Sequence, residues 1–195
     1  MQGYVKYTQT NFDFLGDRPV NNDYNIYDGS LGASHDIVQN ITQNVEAGYW
    51  YRDIKDADSD SCWRVFVELE KIFRRGQLSL FTGAGYDQTF FGAQNLGFNE
   101  YFRIGFNGDY ELFRRFSIDA FGAYRYEDYP DTLDRQDDIF RAGGGLTWTP
   151  LLWLSIRGGY SYRTVQSNRP INEYSENRAS IMFTVEPAQP YRASP

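Results

Sequence analysis

The sequence has one cysteine, one histidine and no apolar run approaching the length of a transmembrane helix. Cys62 alone forms no internal disulfide, and no second cysteine or histidine lies near it to complete a zinc site. A helical span needs about 20 apolar residues, so a crossing by helix is excluded. The opening MQGYVKYTQT holds no positive segment followed by an apolar core, and no signal peptide is read there. Positive charge is also short: 19 Lys and Arg face 26 Asp and Glu, for a formal net charge of -7. Binding nucleic acid requires a basic patch that neutralises phosphates, so nucleic acid is excluded as a partner.

What the chain does have is rings. Aromatic residues make up 18% of its 195 positions, with 16 tyrosines and 15 phenylalanines, while all hydrophobic residues together reach 41%. An ordinary soluble core is built mainly from aliphatic side chains. The length suits one domain or one closed sheet.

A repeat runs through the sequence. Short turn signals centre on residues 39, 75, 114 and 151, separated by 36, 39 and 37 positions. Tyr49, Tyr86, Tyr124 and Tyr160 keep the same interval. Inside each unit the periodicity is two, which argues for strands over helical repeats. In WRVFVELEKIF, Trp63, Val65, Val67 and Leu69 alternate with Arg64, Phe66, Glu68 and Glu70. In LSIRGGYSYR, Leu154, Ile156, Tyr160 and Tyr162 alternate with Ser155, Arg157, Ser161 and Arg163.

This reading predicts ten strands over residues 2–14, 23–37, 40–54, 62–73, 77–91, 97–112, 115–129, 136–149, 152–166 and 173–187. They exceed the usual globular strand of about 5 to 6 residues. Tight turns alternate with longer polar loops such as GDRPVNN, KDADSDS, FGAQNLG and PDTLDRQ. The expected fold is therefore all-β: an antiparallel up-and-down transmembrane β-barrel with short periplasmic turns and longer extracellular loops. The barrel would occupy residues 1–187, with a periplasmic tail at 188–195. An even strand count places both termini on the periplasmic side. A soluble barrel or sandwich with its apolar face inward is the competing fold, but sandwich strands are shorter with turns every 8 to 12 residues, and a soluble barrel lined by the Tyr and Val face has few small residues to fit its taper. The mean hydropathy of -0.60 is low because only one face of each strand would meet lipid.

The segments GYWYRDI (48–54), AYRYEDY (123–129) and the closing YSYRTVQSN to YSENRASIMFTV hairpin resemble the outer-membrane barrels of the beta-barrel porin 2 type. These barrels are associated with exopolysaccharide export in Gram-negative bacteria. The resemblance implies a porin-like or export-associated channel in the bacterial outer membrane, surrounded by lipid and lipopolysaccharide, with envelope or export-system proteins as partners.

Alternation then assigns roles. Glu46, Arg52, Arg64, Glu68, Glu70, Arg103, Asp109, Asp119, Arg125, Arg141, Arg157 and Arg163 fall on the lumenal face. In a barrel of about ten strands they either form a salt-bridged plug or line an aqueous passage. The plugged alternative is a structural barrel whose loops bind a surface partner or scaffold an assembly. Tyr49, Tyr51, Tyr86, Tyr124, Tyr126, Tyr160 and Tyr162 are expected in an outer aromatic girdle at the membrane interface, and Phe73, Phe116, Trp148 and Trp153 in an inner one.

Catalytic and metal chemistry find no support. Asp56, Asp58 and Asp60 have the one-three-five spacing of a calcium loop, but Ser61 stands where glycine is needed and Val67 where glutamate is needed. His35 follows Ser34 and precedes Asp36, and alternation sends neighbours to opposite faces, so they form no triad. Glu127 with Asp128 reads as solvated loop charge. No enzyme, cofactor or metal is expected.

Overall fold

In a computed structural model, residues 1–12, 23–55, 58–89, 97–130 and 135–186 are described. They form ten strands: β1 (Gln2–Phe12), β2 (Tyr24–Val38), β3 (Ile41–Ile54), β4 (Asp60–Phe73), β5 (Gly76–Thr89), β6 (Gly97–Phe113), β7 (Phe116–Tyr129), β8 (Arg135–Leu151), β9 (Leu154–Ser167) and β10 (Tyr174–Val185). Every boundary lies within two residues of the span expected from alternation. A short 3-10 turn, Pro170–Asn172, is the one other element among the described residues. The central residues of the loops at 16–22 and 91–97, Asp56 and the tail at 188–195 lie outside the described residues.

The strands make one sheet in the order β1 to β10, each antiparallel to the next. This is an up-and-down meander, because every connection is a hairpin and none crosses over. Among the described residues β1 and β10 are not paired with each other.

One end of the sheet carries four two-residue turns, 39–40, 74–75, 114–115 and 152–153. Asn40 and Arg115 adopt φ of 67° and 75°, the left-handed region that Asn tolerates and most residues avoid. Each second turn residue also accepts a backbone hydrogen bond from the end of the second strand of the following hairpin, or from the residue just past it. Ile72 donates to Asn40, Glu111 to Arg75, Thr149 to Arg115 and Glu186 to Trp153, at 2.7–2.9 Å. The repeat seen in the sequence is thus a repeated latch in the backbone.

Contacts that skip a strand gather on one face, which is therefore concave. Tyr4 of β1 reaches Glu46 of β3, Arg64 of β4 reaches Asp28 of β2, Arg125 of β7 reaches Asp87 of β5, and Arg157 of β9 reaches Asp119 of β7. The concave face is mostly polar. Among the described residues the buried hydrophobic side chains are only Tyr24, Ile26, Trp50, Phe98, Tyr129, Ile139 and Val165. Most of the remaining large apolar side chains stand exposed on the convex face: Leu31, Val65, Leu80, Phe102, Ile104, Phe106, Leu146, Ile181 and Phe183 among them. A water-soluble sheet hides its apolar face. This one turns it outward.

Candidate functional site on the concave face

The pleat alone carries all twelve expected lumenal residues to the concave face. Pairings such as Gly48 with Arg64, Asn44 with Glu68, Arg103 with Arg125, Asp109 with Asp119 and Arg141 with Arg163 keep them in one register from β3 to β9. Tyr49, Tyr51, Tyr124, Tyr126, Tyr160, Tyr162, Phe73, Phe116 and Trp148 fall on the opposite, convex register, and Trp153 occupies a turn. The exposed Cys62 sits in β4 opposite Trp50.

Tyr86 behaves differently. By register it belongs with Ala84 and Thr82, yet its hydroxyl donates to Asp28 Oδ2 at 3.0 Å and its ring stacks on Phe98. The next residue, Asp87, also pairs inward with Arg125. Alternation thus lapses at the loop end of β5. The ring gains more by covering Trp50, with centroids 5.3 Å apart, than by facing outward.

This bend completes a knot at the loop end of the β2–β6 half. Tyr24, Ile26, Trp50 and Phe98 are buried together, with Phe12, Ile54 and Tyr86 packed around them. Arg52 is 1% exposed, pairs with Asp60, and lies 3.9 Å from the centre of the Phe98 ring. A guanidinium over an aromatic face is attracted by the ring quadrupole, and the carboxylate neutralises what burial would otherwise penalise. Sequence spacing placed Arg52 but missed the knot, since Trp50 is hidden between the two outward tyrosines of GYWYRD. The parity that sent Tyr49 and Tyr51 out was the available signal for it.

Below the knot, glycines let ion pairs pass over the strand between them. Gly48 lies between Ser30 and Arg64 in register, and Arg64 crosses it to meet Asp28 at 3.2 Å and donate to Ser30 Oγ at 3.0 Å. Arg64 also pairs with Glu46, which accepts from Tyr4 at 2.6 Å across Gly32. Gly145 lies under the Arg157–Asp119 pair, where an added Cβ would sit 2.9 Å from the carboxylate and 3.1 Å from the guanidinium. Elsewhere Glu68 accepts from Ser79 at 2.7 Å and from Asn44 at 3.3 Å.

The β5–β10 half holds a cavity of about 490 Å³. Arg103, Arg125, Arg135, Arg141 and Arg163 line it together with Asp87, Glu127 and Asp137. Arg125 pairs with Asp87 at 3.1 Å and Glu127 at 2.6 Å, and Arg135 grips Asp137 with two hydrogen bonds of 3.0 and 2.5 Å. Glu127 also accepts from Tyr129 at 2.5 Å. Among the described residues no group of metal-ligating side chains is assembled. Chemically the face offers fixed charges and donors along a groove.

No family model matches this chain, and no curated protein matches it significantly.

Proposed function

We propose that the chain is a bacterial outer-membrane β-barrel protein that acts as a porin-like or export-associated channel of the envelope. The observation that carries this reading is the inversion of polarity across one meander: charged and hydrogen-bonding residues inside, apolar side chains outside. Leu146 is 53% exposed, Ile104 50% and Phe183 66%. Full burial of such a side chain is worth about 1.5–3 kcal/mol, so each forgoes roughly half of that in water, a cost that hydrocarbon surroundings remove. Every strand has at least 11 residues, enough for the about 9–11 that a tilted strand needs to cross a bilayer. In lipid the open edges of β1 and β10 have no water to satisfy their backbone groups, so the sheet closes there on itself or on further strands. The surroundings are then outer-membrane lipid and lipopolysaccharide. The link to polysaccharide export rests on the resemblance of the tyrosine-rich segments alone.

The aromatic knot favours a second reading, a barrel plugged at its loop end that scaffolds an envelope assembly. Conductance in a planar lipid bilayer separates the two. Stepwise currents of reproducible size support the channel. Silence from protein that protease protection proves to be inserted refutes it and leaves the scaffold.

A further inference from the structure

The five arginines and three carboxylates of the large cavity do not balance. Asp87, Glu127 and Asp137 are all engaged by Arg125 and Arg135. Arg103, Arg141 and Arg163 form no ion pair among the described residues. Glu176, the residue opposite Arg163, pairs instead with Arg178 at 3.5 Å. Two of the unpaired guanidiniums, those of Arg103 and Arg163, lie against rings. Arg103 lies 5.3, 5.7 and 5.6 Å from the ring centres of Phe66, Phe81 and Tyr101, and Arg163 lies 5.3 Å from that of Tyr174. The Nε atoms of Arg103 and Arg163 are buried with no hydrogen-bond partner among the described residues.

The register makes the imbalance sharper. Arg103 stands directly opposite Arg125, and Arg141 directly opposite Arg163. Like charges in facing positions of a sheet repel and destabilise it. A second cavity, of about 330 Å³, adjoins the first and is lined by the same Arg141 and Arg163 together with Arg178. The two cavities thus share a pair of cations with spare donors, and guanidinium forks match oxyanions in geometry as well as in charge.

We propose that this arginine track is a binding site for a soluble solute carrying two or more oxyanion groups, carboxylate or phosphate, gripped by Arg141 and Arg163 with Arg103 beside them. The site stands on the cavity and its charges, so it holds whether or not the barrel conducts.

The test is calorimetric titration of the full chain in nonionic detergent with two probes, citrate and tripolyphosphate. Saturable binding of either probe is expected, weakening as sodium chloride is raised. In the double variant Arg141→Gln, Arg163→Gln the affinity should fall at least about tenfold, the loss of one charge-assisted contact of about 1.4 kcal/mol. Its thermal midpoint should hold or rise, because a facing like-charge pair is gone. Arg74→Gln with Arg75→Gln removes the same charge at a tight turn and should leave the affinity unchanged. Binding of neither probe overturns the proposal. So does equal loss in both double variants, which would mark a diffuse field, or full affinity retained without Arg141 and Arg163.

Discussion

Gly48→Ala is the sharpest probe of how the concave face is assembled. A Cβ built at this position lies 2.7 Å from the carbonyl oxygen of Gly29, 2.7 Å from Ser30 Cβ and 3.1 Å from Ser30 Cα. Carbon atoms rest about 3.5–4.0 Å apart, so β2 and β3 must part by about 0.8 Å. Two of the obstructing atoms are backbone and no rotamer change moves them. Overpacking of this kind costs about 1–3 kcal/mol, of which the smaller unfolded-state entropy of alanine returns about 0.4–1 kcal/mol. The displacement also lifts Arg64 from Asp28. Gly29→Ala is the matched control on the neighbouring strand, where a new Cβ meets nothing within 4 Å. That variant should be neutral or slightly stabilised. Gly145→Ala should fall between them, since its Cβ meets only side-chain ends that can swing aside, and the Arg157–Asp119 pair it disturbs is half exposed. Urea unfolding in detergent or vesicles, followed by tryptophan emission, ranks the three. Gly48→Ala and Gly29→Ala agreeing within about 0.5 kcal/mol would refute the claim that the glycine holds the bridge open.

Three further outcomes are expected. Asp28→Ala removes the acceptor of both Tyr86 and Arg64 in a site where the carboxylate is 5% exposed. Its cost in the same unfolding assay should lie near the lower end of about 3–5 kcal/mol, because Arg64 keeps Glu46. At the φ of 67°, Asn40→Gly should be neutral or stabilising and Asn40→Val should cost about 1–2 kcal/mol, read as opposite shifts in the thermal midpoint. In vesicles of brominated lipid, single-tryptophan variants retaining Trp63, 70% exposed, or Trp148, 52% exposed, should be quenched, and the variant retaining the buried Trp50 should not. Equal quenching of Trp50 and Trp63 would refute the assignment of the convex face to lipid.

Much of this was legible because a strand has only two faces. Once turns were placed, parity gave every residue a side, and the twelve charged residues named between Glu46 and Arg163 fall in one register. Parity fails where the backbone stops alternating, as at Tyr86 and Asp87, whose contacts both turn inward. It is also silent on which residues meet across a skipped strand. That depends on curvature and on where glycine leaves a gap, so Arg64 with Asp28, and Arg157 with Asp119, could not be paired from spacing. The arginine cavity was hidden for a similar reason: Arg103, Arg141 and Arg163 were assigned to one face, but their lack of carboxylate partners emerges only when the acids are seen to be taken by Arg125 and Arg135.

The backbone latches at the tight turns make each hairpin a unit of measure. The donors Ile72, Glu111, Thr149 and Glu186 recur at intervals of 39, 38 and 37 residues, so each hairpin presents the next with the same fastening it received. Duplicating or deleting one such unit changes the sheet by two strands, roughly 9–10 Å of width, without altering any junction. The width of the sheet is therefore a quantity that gene duplication adjusts in fixed steps, while the chemistry of its concave face is tuned separately, residue by residue, within each step.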